Sequence, residues 1–237
     1  MSPRSILVTG GAGYVGSILV PQMLRDGYRV TVYDTLWFGS DFLPAKDQNL
    51  RVVKGDVRDV ELFANAVEDH DSVIHLACIS NDSSFELDER LSTSVNLHAF
   101  KPLVMASKRA GVKRFIYASS SSVYGVSDSP DVTEDHPLVP LTLYNRYKGE
   151  CEPLLLEEVD DDFVGVIVRP ATLCGFAPRQ RASANVRSTA LRWDGGSSIP
   201  LQAREMTRRT LTSSTMDSSP NAKARMAAAV YSPTPGR

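Results

Sequence analysis

Ser5-Ile6-Leu7-Val8-Thr9-Gly10-Gly11-Ala12-Gly13-Tyr14-Val15-Gly16 decides how the rest of the chain is read. Its first five residues carry no charge and run into glycine, which suits a short strand covered on both faces. Gly11, Gly13 and Gly16 then give the spacing GxGxxG, and Gly10, Gly13 and Gly16 give GxxGxxG. Apolar residues at Val15, Ile18, Leu19, Met23 and Leu24, closed by Gly27, predict a helix over about 14–26. In a strand–loop–helix setting such glycines allow a tight turn and a close approach of the backbone to a pyrophosphate. The helix N-terminus then faces the negative charge with free N–H groups.

The same alternation continues outward. Strands are predicted at Arg29–Asp34, near 51–54, at Ser72–Ala77, at Arg114–Ala118 and at 163–168. Helices are predicted near 59–68 and 90–110, and from Tyr144 to about Glu158. Strands alternating with helices imply right-handed crossovers, so the fold class is α/β, a doubly wound parallel sheet. Ligands of such sheets lie at the carboxyl ends of the strands. Asp34 ends the second strand, where a carboxylate accepts hydrogen bonds from the adenosine ribose. No arginine follows to hold a 2′-phosphate, so NAD is expected rather than NADP. Asp34 also reads as a plain turn residue. Gly55-Asp56-Val57 follows the third strand and is placed to meet the adenine edge, or Asp56 caps the next helix.

Tyr144 and Lys148 share one helix face at i,i+4, whereas Tyr147 does not face Lys148 and is read as packing. A phenol with a pKa near 10 is a poor base at neutral pH, and a neighbouring ammonium lowers that pKa by stabilising tyrosinate. The run Ser119–Ser122, about twenty residues earlier, ends the fifth strand, and Ser120 is expected to supply a hydroxyl to a reacting oxygen. A tyrosine and a lysine at this spacing are common by themselves. Their place after a serine-bearing strand end, in a chain that opens with a nucleotide loop, points to hydride chemistry.

The bulk composition narrows the class further. A net charge of -2 makes no case for nucleic acid, and no apolar run reaches membrane-spanning length. Cys78, Cys151 and Cys174 have no metal-ligand spacing and suit a reducing compartment, and the strand pattern begins too early for a signal peptide. A cytoplasmic location is expected.

The loop Gly10–Gly16, Asp34, Gly55-Asp56-Val57, His75-Leu76-Ala77, Ser119–Ser122 with Val123-Tyr124-Gly125, Tyr144/Lys148 and Arg169-Pro170-Ala171-Thr172 occur in order. With them the chain resembles the extended short-chain dehydrogenase/reductase family, and within it the NAD-dependent sugar-nucleotide epimerases and dehydratases such as UDP-glucose 4-epimerase. The resemblance covers about residues 4–181. It implies a Rossmann domain, with Ser120, Tyr144 and Lys148 as catalytic residues. It implies cofactor contacts from Gly10, Gly11, Gly13, Tyr14, Val15, Gly16, Asp34, Asp56, Val57, Leu76, Ala77, Asn96, Tyr144 and Lys148, and no metal. It also implies a nucleotide-sugar substrate and a homodimer that pairs through the Tyr144 helix.

Dehydratases similar to this chain carry an acid among the two residues after the catalytic hydroxyl, and Ser121 and Ser122 stand there. The resemblance therefore implies epimerisation. Tyr144 takes a sugar hydroxyl proton, a hydride leaves the adjacent carbon, and the keto-sugar turns before the hydride returns to its other face.

From about residue 180 the character changes. Residues 180–237 hold nine basic and three acidic residues, a net of +6, while 17 basic and 25 acidic residues leave -8 on the rest. Only six of these 58 residues are Leu, Ile, Val or Phe, and fifteen are Ser or Thr. So little apolar area does not offset ordering entropy. The expectation is an NAD-binding domain over 1–179 and a degenerate or disordered remnant of a substrate domain over 180–237, lacking a seventh strand, in a truncated or frame-shifted product. Trp193-Asp194-Gly195-Gly196-Ser197 is a faint echo of the family. Three readings stay open: an epimerase, a cofactor-binding pseudoenzyme or fragment, and a dehydratase or reductase.

Overall fold

The computed structural model describes residues 4–80, 82–129, 131–171, 173, 177–178 and the strand 225–229. Seven parallel strands form one sheet in the order β3-β2-β1-β4-β5-β6-β7. They are β1 (Ser5–Thr9), β2 (Arg29–Asp34), β3 (Leu50–Lys54), β4 (Ser72–His75), β5 (Arg114–Ala118), β6 (Val164–Pro170) and β7 (Arg225–Ala229). The helices α1 (Gly16–Arg25), α2 (Val60–Val67), α3 (Asp82–Glu86), α4 (Glu89–Thr93), α5 (Phe100–Arg109) and α6 (Leu143–Leu156) complete the pattern. The doubly wound expectation holds. The strand order reverses between β1 and β4, and this opens the crevice in which such folds bind ligands.

All five residues of β1 are buried, as its uncharged sequence requires of a central strand covered on both faces. On one face α2, α5 and α6 cover a core that includes Phe63, Phe100, Leu103, Phe115, Leu155 and Phe163. On the other, α1 brings Val20, Met23 and Leu24 against Val8, Val32 and Ile116. Burying each such side chain contributes about 1.5–3 kcal/mol.

Three expectations need correction. The single helix expected near 90–110 is broken: α4 and α5 flank a π-helical turn, Ser94–His98, in which the Ala99 N–H donates to the Ser94 carbonyl at 3.1 Å. Strand β4 stops at His75 rather than Ala77, and Leu76 leaves the sheet with its N–H held by the Thr9 carbonyl. A seventh strand is present, since Arg225–Ala229 pairs in parallel register with Val166–Pro170. The residues on either side of this strand, the expected boundary near 179 included, lie outside the described residues.

Candidate active site

The carboxyl ends of β1, β2, β4 and β5 bring the predicted residues to one edge of the sheet. Gly10 takes φ 68°, and a Cβ there would lie 2.6 Å from the Ala77 nitrogen, so only glycine fits between β1 and the turn after β4. The loop closes on itself through the Gly13 N–H to the Gly10 carbonyl, while Gly11 and Gly16 pack against its floor. Tyr14 and Val15 lead into α1, and the Tyr14 carbonyl accepts from the Ser17 hydroxyl at 2.8 Å.

Asp34 stands beside this loop. One carboxylate oxygen accepts from the Ala12 N–H at 3.0 Å and the other from the Leu36 N–H at 2.8 Å. The turn role and the ligand role are therefore compatible. The backbone anchors the carboxylate at the loop, and each oxygen keeps a further lone pair for a hydroxyl donor. Asp56 is not a helix cap, because Asp59 accepts from the Leu62 N–H at the start of α2. The Asp56 carboxylate instead pairs with Arg58 at 2.6 Å, and hydrogen bonding from that guanidinium lowers its pKa. Val57 is buried in the core.

Behind the cofactor loop lies a group of residues that the sequence named only in part. His75 is buried, with Nδ1 2.8 Å from the Thr9 hydroxyl, and the same hydroxyl accepts from the Ala77 N–H at 3.4 Å. Burial, and then the charge of Lys148, push the His75 pKa down to about 3. Asn96, carried by the π-helical turn, accepts from the Ile79 N–H at 2.8 Å and donates to the Ile79 carbonyl at 2.9 Å. Its amide is thus committed to the main chain of the segment after Leu76 and Ala77.

The reacting face is formed by β5 and α6. Thr142 caps α6 by accepting from the Asn145 N–H, which places Tyr144 in the first turn and Lys148 one turn on. Lys148 is buried, donates to the Ala118 carbonyl at 2.7 Å, and holds its ammonium 6.0 Å from the centre of the Tyr144 ring. Tyr144 is half-buried and lies edge-on to Phe85, while Tyr147 packs on the same Phe85 ring at 5.6 Å, as expected of a packing residue. Ser120 begins a turn of 3-10 helix (Ser121–Tyr124) that packs against α6. Its hydroxyl lies 2.7 Å from that of Ser122, which in turn donates to the Asn145 carbonyl oxygen at 2.6 Å.

Sequence reading missed a buried ion pair directly beneath this face. Glu152 and Arg169 meet at 2.6 Å with side chains only 4 % and 5 % exposed. Extending the Tyr144–Lys148 stripe by one more turn would have pointed to Glu152. No cluster of His, Cys, Asp and Glu among the described residues has the makings of a metal site, and no described helix is long and apolar enough to cross a membrane.

Residues 6–202 match the NAD dependent epimerase/dehydratase family. The chain belongs to that family. The match extends past the expected end at residue 181 and takes in Trp193–Ser197. Among similar proteins, a 3 beta-hydroxysteroid dehydrogenase/Delta 5-->4-isomerase of Mycobacterium tuberculosis is 33% identical over 180 residues, covering 72% of this chain and 47% of its own length. A UDP-glucose 4-epimerase of Rhizobium meliloti is 31% identical over 157 residues, covering 65% and 47%. The solved enzyme WbmG of Bordetella bronchiseptica, in complex with NAD and UDP, superposes with a TM-score of 0.64 at 29% identity, covering 73% and 55%.

The chain thus spans about half the length of the curated relatives it matches. The cofactor of this epimerase/dehydratase-family chain is NAD. The residues present fit it, with a glycine loop closed tightly against the turn after β4, an anchored carboxylate at Asp34, and no arginine at Thr35–Trp37 to receive a 2′-phosphate.

Proposed function

We propose that the chain carries the cofactor-binding and reacting half of a nucleotide-sugar epimerase. The observation that supports this reading is that Lys148, one turn from Tyr144 on α6, is held to the end of β5 two residues before Ser120, with serines and no acid at positions 121 and 122. NAD, when bound, supplies a hydride acceptor that can return what it takes. Gly10, Gly11, Gly13, Tyr14, Val15 and Gly16 hold its pyrophosphate region, and Asp34 its adenosine ribose, with Asp56 and Val57 toward the adenine. Leu76 and Ala77 line the cofactor from the β4 side, while Asn96 sets their main chain through Ile79.

At the sugar, Tyr144 accepts the hydroxyl proton as the adjacent C–H bond breaks. The buried Lys148 ammonium, one turn away, offsets the negative charge on that phenol oxygen. Ser120 donates to the same sugar oxygen and fixes its position. When the hydride returns to the opposite face of the keto-sugar, Tyr144 gives the proton back. Elimination of water would require a proton donor beside Ser120. The Ser122 hydroxyl, already committed to Asn145, is a poor one.

The test is incubation of the purified chain with NAD and UDP-glucose, with UDP-galactose read by chromatography. Interconversion without net reduced cofactor is expected, and Tyr144→Phe should lower its rate by about a hundredfold or more. A stable keto-deoxy product would instead make the chain a dehydratase. NAD reduction by a 3 beta-hydroxysteroid, with no action on UDP-sugars, would move it to the hydroxysteroid side of the family.

A further inference from the structure

Three elements that share no sequence neighbourhood meet at one carboxylate. Glu152, on α6, accepts from the Ser119 hydroxyl at 2.6 Å and from Arg169 Nε at 3.0 Å on one oxygen, and from Arg169 Nη2 at 2.6 Å on the other. Arg169 Nη1, at the end of β6, donates to the Tyr124 hydroxyl at 2.8 Å and to the Glu134 carbonyl at 2.9 Å. The Arg169 guanidinium also lies 4.9 Å from the centre of the Tyr124 ring. Three of these residues border those proposed to react. Ser119 precedes Ser120, Tyr124 ends the turn that Ser120 begins, and Glu152 lies one turn below Lys148 and two below Tyr144.

Stability does not account for this arrangement. A buried ion pair is often no better for the fold than apolar side chains of the same volume, because both charges lose their water. Hydrogen bonds do something that apolar contacts cannot, which is to fix two elements against sliding. The end of β5 is tied to α6 by consecutive rungs. Tyr117 donates its hydroxyl to the Lys148 carbonyl, Ala118 accepts from the Lys148 ammonium at 2.7 Å, and Ser119 donates to Glu152. The first two rungs hold Lys148, and the third carries the register on to Ser120.

We propose that Glu152, held by Arg169, is a positioning residue that locks Ser120, just past the end of β5, in register with the Tyr144–Lys148 face of α6 through the hydroxyl of Ser119. This rests on the reaction proposed above. Tyr144 and Ser120 must address the same sugar oxygen from two different elements, and a misplacement of about 1 Å costs up to a hundredfold in rate. Removing the Ser119 hydroxyl leaves Glu152 fully paired to Arg169, so the ion pair survives while the rung to β5 is lost.

The experiment compares Ser119→Ala, Ser119→Thr and Glu152→Gln with the parent chain, all with NAD present. Two quantities are read: kcat and KM for UDP-sugar interconversion, and the midpoint of Tyr144 ionisation. The midpoint is taken from tyrosinate absorbance as a difference against each protein's own Tyr144→Phe counterpart. Ser119→Ala is expected to lower kcat about tenfold to a hundredfold with KM changed less than about threefold. It is also expected to raise the Tyr144 midpoint, as the Lys148–Ala118 rung loosens. Ser119→Thr, which keeps the hydroxyl, should stay near the parent in both. If the parent turns over no UDP-sugar, the reaction reading falls and the midpoint alone judges the positioning. If Glu152→Gln does not fold, Ser119→Ala decides. A Ser119→Ala chain with the parent's midpoint overturns the proposal, whatever its melting temperature.

Discussion

Burial leaves His75 no room to charge. Its ring is packed among Phe100, Phe115 and Tyr117, its Nδ1 faces the Thr9 hydroxyl, and the Lys148 ammonium adds repulsion, so its pKa falls to about 3. The unfolded chain binds a proton at His75 near pH 6.5, and the folded chain does not. The stability contributed by the neutral ring is therefore complete above pH 6.5 and drains away as pH falls toward 3, at up to about 1.4 kcal/mol per pH unit. Urea melts should show about 1.5–2 kcal/mol less stability at pH 5 than at pH 7 from this residue. His70, whose pKa burial also lowers, adds to the loss in the same direction. In His75→Gln, which keeps a hydrogen-bonding side chain but does not titrate, the pH dependence should flatten by that amount. An unchanged slope would show that His75 is solvated. The sequence places His75 in a motif but does not show its buried, uncharged state, because a histidine inside an apolar run looks alike whether it is a ligand, a switch or a buried brace. The placement of Asp34 at a strand end and of Tyr144 and Lys148 on one helix face was legible because it follows from spacing within a single element or at its end.

At the scale of elements, what could be read was each strand and helix by its own period. What could not be read was the contact between elements distant in sequence. Helix α6 illustrates both. Its helical character and its Tyr144–Lys148 face follow from local pattern, whereas Glu152 acquires its meaning only when β6 brings Arg169 beside it. The broken helix near residue 94 is a similar case. The π-helical turn has no compositional signature, and it persists where Asn96 clamps Ile79 on both sides. The buried pair gives a direct test of what joins α6 to β6. Arg169→Met leaves the Glu152 carboxylate buried with only the Ser119 hydroxyl, and should cost about 3–5 kcal/mol of stability. The double change Glu152→Leu with Arg169→Met, which leaves no charge behind, should recover most of that loss in a denaturant titration. A double variant as unstable as the single one would mean that the site needs hydrogen bonds to fold at all.

For the molecule as a whole, the question is how much of the family's work a chain of this length performs. The sheet runs from β3 to β7, and the residues expected to hold NAD lie at or after the carboxyl ends of β1, β2, β3 and β4 or sit on the π-helical turn and α6. All of them fall within the described residues. A ligand that binds only the folded state stabilises it by RT ln(1 + [L]/Kd), about 2.7 kcal/mol at a hundred times Kd. For a domain of this size, that raises the melting temperature by roughly 5–10 °C. NAD should therefore produce such a rise. Gly10→Ala should abolish it, because a Cβ at that position drives into the Ala77 main chain and forces the loop out of place. UDP-glucose added to the NAD-saturated parent then isolates the second site. A further rise would mean that the chain holds a nucleotide sugar as well as NAD. A rise with NAD alone would leave a cofactor domain whose reacting residues lack a bound substrate, and the epimerase proposal would fall while the cofactor assignment stood.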